Sequence, residues 1–209
     1  MANDPDWYSP PTADHAPSPN EDGDYGETEP AGFAVRFGAR FIDVIAVTLL
    51  GAVGGAVGGI LTVVLSAVGV KHAGLQRSSG LDLGPLLTGA IAGLVYHAVA
   101  EGVGGATVGK ALLGLRVKRE EDFAPCGIWR GLGRNLAYYI DAFFFGLVAY
   151  SSMSNSRMQQ RLGDKWASTV VVRAKSLPAS AAGGVALGMC LGMAGHVLVS
   201  AIGVVIRVL

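Results

Sequence analysis

The sequence predicts an all-α integral membrane protein: a small helical bundle of three or four transmembrane segments, a short cytoplasmic amphipathic or β element, and a disordered N-terminal tail. Three observations carry that prediction. The 209 residues are 51% hydrophobic and only 15% charged, against roughly 25% charged in an ordinary soluble domain. Three uncharged runs, 44–70, 83–100 and 176–206, are long enough as helices to span a hydrocarbon core of about 30 Å. Finally, 31 glycines, about twice the usual share, recur every four residues inside the first and last runs, as where membrane helices approach closely.

Composition also excludes. Lys and Arg together equal Asp and Glu, 16 against 16, for a net charge of zero, so no basic surface offers itself to nucleic acid. Two cysteines, Cys126 and Cys190, make neither a disulfide framework nor a metal cluster. No Ser-His-Asp order, HExxH or cofactor fingerprint appears, so the expectation is a protein that is not an enzyme and carries no cofactor. Gly104-Gly-Ala-Thr-Val-Gly109-Lys110 imitates a phosphate loop. However, Ala111 stands where the magnesium-binding Ser or Thr belongs, and an apolar helix rather than a strand precedes it.

Residues 1–31 hold eight acids, no Lys or Arg, and most of the prolines, a composition too polar to fold. This tail lacks the basic start and apolar run of a signal peptide, so the first hydrophobic segment is expected to remain as an anchor. The membrane domain is expected over 32–173, with segments at about 41–70, 83–101 and 135–153, and 174–209 adds a C-terminal transmembrane helix. Segment 135–153 is ambiguous because both its flanks are basic, and positive flanks prefer the cytoplasm. A true span would misplace one flank, whereas a re-entrant or interfacial hairpin returning to the same side would satisfy both. Leu115–Lys118 and Thr169–Arg173 alternate or are β-branched and could pair as short strands, which also favours the hairpin. Six Lys or Arg in 102–134 against two in 71–83 place the former, and with it the tail, in the cytoplasm of a cell-membrane protein.

Around the start of the first span, Arg36, Ala39, Arg40 and Asp43 share one helix face, being three, four and seven residues apart. An aspartate in an apolar run is costly unless paired, protonated or beside water. Asp43 either pairs with Arg36 or Arg40 near the interface or faces a polar crevice. His97 and Glu101, four apart, suit a hydrogen-bonded pair or a joint cation site. Asp141, among aromatic residues, is a further buried carboxylate. Asp164 beside Arg161 and Lys165 reads first as a turn or salt-bridged carboxylate, and alternatively as the long-range partner of Arg116 or Arg36.

Three blocks of residues resemble the RDD family of integral membrane proteins, named for one arginine and two aspartates. The first is Arg36 with Ala39 and Ile42-Asp43. The second runs from Gly105-Ala-Thr107-Val-Gly109-Lys110 through Gly114-Leu-Arg116-Val117 to Arg134-Asn135. The third is Gln160-Arg161-Leu-Gly163-Asp164, continuing to Thr169-Val-Val. The resemblance covers 31–173, and departures are few: Ala111 where a basic residue is common, and Ser168 for glycine. It implies functional or structural weight on Arg36, Asp43 and Asp164, and reading the residues themselves adds His97, Glu101, Lys110, Arg116 and Asp141 as secondary candidates. It also implies transport of an unidentified ligand or ion exchange, for which the residues suggest that Asp43, aided by Arg36 and Glu101 or Asp141, alternates between protonated and ion-paired states. The alternative is a non-transporting scaffold or regulatory protein whose Arg/Asp set is structural. Partners expected are the lipid bilayer, a second copy through the glycine-rich faces, and a protein bound by the acidic tail; nucleic acid is not expected.

Overall fold

The computed structural model describes residues 29–70, 83–142, 146–174 and 179–208. Most of the acidic tail, the 71–82 loop and the aromatic run 143–145 therefore lie outside the described residues. Chain order is β1 (Glu29–Pro30), α1 (Phe33–Ala67), α2 (Gly84–Gly104), α3 (Val108–Leu112), β2 (Leu115–Arg119), α4 (Ile128–Ala142), α5 (Leu147–Ser154), α6 (Leu162–Trp166), β3 (Thr169–Arg173) and α7 (Ala179–Val208). Helices α1, α2 and α7 are long and apolar enough to cross a membrane, and their outward faces carry Leu, Ile, Val and Phe, as surfaces meeting lipid do.

Helix α1 starts eight residues before the expected boundary of 41, so Arg36, Arg40 and Asp43 ride on the membrane helix itself. Proline at the first turn of α2 suits its start. Its end is set by Gly105, at φ +68, where a glycine adopts the left-handed cap without strain and its N–H bonds the Glu101 carbonyl at 2.9 Å.

Glycines decide how the three helices meet. A Cβ on Gly54 would stand 2.5 Å from Ser200 Cβ, and one on Gly58 would stand 2.7 Å from both the Ala201 carbonyl oxygen and Val204 Cβ. On its other side α7 runs against α2: a Cβ on Gly192 would lie 2.8 Å from the Tyr96 carbonyl oxygen, and one on Gly188 would strike the Gly104 backbone. Helix α7 is thus the wedge between α1 and α2, parallel to the first and antiparallel to the second. The glycine spacing serves packing within the chain, while Gly55 and Gly59 meet nothing within 4 Å.

At the end of the bundle formed by the start of α1 and the finish of α2 lies a three-stranded antiparallel sheet in the order β1-β3-β2. Val117 pairs with Val171 and Arg119 with Thr169. Alternation gives the sheet two apolar faces: Leu115, Val117 and Val171 pack with Ala39 and Cys126, and Val170 and Val172 pack with Met158. The tail boundary at 31 is too late, because Glu29 and Pro30 pair with Arg173 and Val172, and the Ala31 N–H bonds the Val171 carbonyl at 2.9 Å. Sequence composition could not locate that edge, since the pairing is purely backbone.

The sheet also fixes the third hydrophobic segment. β2 precedes it and β3 follows it, yet they are hydrogen-bonded neighbours, so the chain leaves and returns on one face of the bundle. Instead of one element over 135–153, two helices occur, α4 of 15 residues and α5 of 8. Each is shorter than the roughly 17 residues a crossing needs.

Candidate functional site

The charged residues converge where the sheet-bearing cap meets the membrane helices, and they form two separate assemblies. In the first, Asp43 on α1 receives the N-terminus of α3. Its Oδ2 accepts a hydrogen bond from Thr107 Oγ1 at 2.6 Å, and its Oδ1 accepts from the Gly109 N–H at 2.8 Å and from the Tyr96 hydroxyl at 3.2 Å. Tyr96 in turn accepts from the Val108 N–H at 2.9 Å. Small residues permit the approach: a Cβ on Gly109 would overlap the carbonyl oxygen of fully buried Ala39. Helix starts favour negative charge, and Asp43 supplies it from another element.

Asp43 therefore does not pair with Arg36 or Arg40, the first of the two alternatives that the sequence left open. Both arginines share its helix face but are drawn away by partners that sequence distance conceals. Arg36 Nη1 donates to Asp164 Oδ2 at 2.5 Å, its Nε donates to the Ala31 carbonyl at 2.8 Å, and its Nη2 donates to the Val171 carbonyl at 3.3 Å. Arg40 Nη1 donates to His97 Nε2 at 2.6 Å, and its guanidinium lies 3.9 Å from the centre of the Tyr138 ring. Because an arginine only donates, His97 Nε2 accepts, which leaves Nδ1 protonated 3.8 Å from Glu101 Oε1.

The second assembly centres on Asp164 and Glu101. Asp164, on α6, is fully buried and also accepts from Arg134 Nη2 at 2.6 Å and from the Arg161 backbone N–H at 3.2 Å. Asp164 thus caps the start of α6, as a turn carboxylate would, and also joins three elements, whereas Arg116 takes no part: its Nη1 bonds the carbonyl of its own neighbour Leu115. Burial alone would raise the Asp164 pKa, but Arg134, Arg161 and Arg36 outweigh it and hold the carboxyl well below the usual range. Glu101 is joined to Lys110 Nζ, accepts from Asn135 Nδ2 at 3.0 Å, and lies 3.5 Å from Arg134 Nε. Burial draws the Lys110 ammonium down to about 8, with Glu101 opposing the shift. The His97 and Glu101 pair is thus one link in a longer chain running from Arg40 to Arg36. The backbone of Asp141 lies in α4, and its side chain is outside the described residues. Among the described residues, no three His, Cys, Asp or Glu side chains gather to hold a metal ion.

Arg134, Asn135, Tyr96 and Thr107 were not singled out from sequence as site residues. Arg134 carried the clearest available signal, a cation immediately before an apolar segment. The phosphate-loop imitation resolves differently: the Thr107 side chain caps α3, and Lys110 turns to Glu101.

Three neighbouring cavities adjoin these assemblies. A groove of about 430 Å³ lies outside the first turns of α1, a chamber of about 20 Å³ lies between the cap and helices, and a space of about 90 Å³ lies between α1, α2 and α4. Arg36, Arg40 and Arg161 line both groove and chamber, Arg40 and Asn135 line both chamber and inner space, and among the described residues Arg40 alone borders all three.

Compared with known proteins, the chain matches the family model described as the RDD family over residues 30–168. Neither a curated protein nor a solved structure matches it.

Proposed function

The chain belongs to the RDD family, and on that premise we propose that it is a transport or ion-exchange component whose solute passes beside Arg40 rather than by way of Asp43. The observation that carries this reading is the position of Arg40 at the meeting of three cavities. Four cations, Arg36, Arg40, Lys110 and Arg161, line the chamber against two carboxylates, Asp43 and Glu101. That excess suits an anion, because a cation moving there would meet like charge. Gly89 and Gly93 open the inner space, since neither has an atom within 4 Å of where a Cβ would stand. Charge asymmetry supports a cytoplasmic cap. With Gly54, Gly58, Gly188 and Gly192 engaged inside the chain, Gly55 and Gly59 offer the face for a second copy.

The second reading, a non-transporting scaffold, is favoured by the saturation of Asp43 and Asp164, which bind the cap to the helices as fixed joints. Flux measurements in vesicles separate the two. Chloride, phosphate, sodium and proton fluxes would be compared for wild type, Arg40→Gln and Asp43→Asn, each normalised to folded, inserted protein. Anion flux lost in Arg40→Gln and retained in Asp43→Asn supports the transport reading. A folded wild type that passes none of these ions supports the scaffold.

A further inference from the structure

The groove outside α1 combines two chemistries that a dissolved ion does not match. Phe37, Phe41 and Val44 lie four and three residues apart on one helical face that borders it, and Phe37 and Phe41 are 64% and 63% exposed. Arg40 and Arg161 border it too. Among the described residues Arg40 has no carboxylate partner of the kind Arg36 has, and Arg161 only shares one. Among the described residues, the contacts of Arg40 are the uncharged His97 ring nitrogen and the Tyr138 ring. Arg161 stands 3.8 Å from an Asp164 already shared by Arg36 and Arg134, and its Nε has no hydrogen-bond partner among the described residues. The volume, about 430 Å³, lies within the range of small-molecule sites.

A cationic end and an apolar flank, at the level where α1 passes from cap to bilayer, match a molecule with an anionic head and a hydrocarbon tail. We infer that this groove binds an anionic phospholipid, its phosphate toward Arg40 and Arg161 and an acyl chain along Phe37, Phe41 and Val44. Charge complementarity selects the occupant. A zwitterionic lipid would leave the arginine charge uncompensated, and a free anion would leave the aromatic flank unused. Each basic side chain near a membrane surface adds roughly 1 kcal/mol of attraction for anionic lipid, so two arginines give a preference of about tenfold or more. The inference is independent of transport, because a resident lipid needs no pathway.

The test uses the full chain in neutral detergent with phosphatidylglycerol or phosphatidylcholine of identical acyl chains, and the lipid retained after gel filtration is quantified. Phosphatidylglycerol retained about tenfold over phosphatidylcholine is the expected result, and equal retention overturns the site on wild type alone. Arg40→Gln with Arg161→Gln should bring the two lipids within about twofold of one another; an unchanged preference overturns the assignment. Should that double variant fail to fold by circular dichroism, Arg161→Gln alone decides, a fall of about threefold supporting the site and no change overturning it. Phe37→Ala with Phe41→Ala should lower retention of both lipids. Displacement of phosphatidylglycerol by millimolar inorganic phosphate would instead make this a site for free anions.

Discussion

Arg36 and Asp164, 128 positions apart, meet at 2.5 Å with both side chains buried. The contact pins the start of the first membrane helix to the short helix α6 that precedes β3, and so closes the cap over the bundle. Removing one partner of such a pair leaves an uncompensated buried charge, a loss of about 3–5 kcal/mol.

Asp164→Asn should therefore lower folded yield and thermal stability by that order, read from melts of the detergent-solubilised protein. Exchanging the partners, Arg36→Asp with Asp164→Arg, should not restore stability. An arginine at position 164 would face Arg134 and Arg161, which the exchange leaves in place.

Acid should act through the same residue. The folded Asp164 pKa lies below that of an unfolded carboxyl, about 3.9. Its stabilising contribution is complete above that value and is lost progressively as pH falls from there toward the lower folded value, because the unfolded chain then takes up a proton that the folded chain refuses. Melting temperatures between pH 6 and pH 3 should fall for wild type and fall less steeply for Asp164→Asn. Parallel slopes would exclude this role.

For Asp43 the direction is set by its three donors. In Asp43→Asn one carboxylate oxygen becomes an NH2 facing a hydroxyl or N–H that also donates. Each affected hydrogen bond to a charged group is worth about 1.5–3 kcal/mol, so the variant should be destabilised by that order. A variant as stable as wild type would mean that α3 is held by something other than this carboxylate.

Glycines with the same spacing should behave in opposite ways. Gly58→Leu forces a side chain into the Ala201 backbone and should cost about 1–3 kcal/mol or separate α1 from α7. Gly55→Ala meets open space and should be neutral or stabilising by up to about 1 kcal/mol. Thermal melts of the two variants side by side would show whether α7 lies where described.

Gly93→Val tests the inner cavity. The position borders it with no neighbour within 4 Å, so the added side chain should fit without loss of stability yet reduce anion flux severalfold. Unchanged flux from an equally folded variant would remove the inner space from the proposed route.

The spans were legible because an uncharged run of eighteen or more residues has few other uses, and the strands because Leu115-Arg-Val-Lys alternates and Thr169-Val-Val-Val is wholly β-branched. What stayed hidden depends on contacts remote in sequence. Arg36 and Arg40 lie within reach of Asp43 along one helix, so local spacing proposed a pairing that Asp164 and His97 win from a distance. The start of α1 was placed late because its arginines look like a flank, whereas Ala31 and Asp164 accept hydrogen bonds from Arg36 inside the fold. The glycine strips announced close packing but not its partner, since smoothness is the same toward α7 and toward another copy.

Helix α7 lies wholly beyond the residues that the family model matches, yet it separates α1 from α2. A chain emerging from the ribosome at about 5–20 residues per second delivers α1 and α2 to the bilayer on the order of ten seconds before α7 exists. Through that interval Gly54 and Gly58 have no α7 against them, and Asp164, made shortly before α7, reaches Arg36 only near its end. The half-built protein can close its cap yet lacks the wedge between its first two helices, so the bundle is completed only by translation of the last helix.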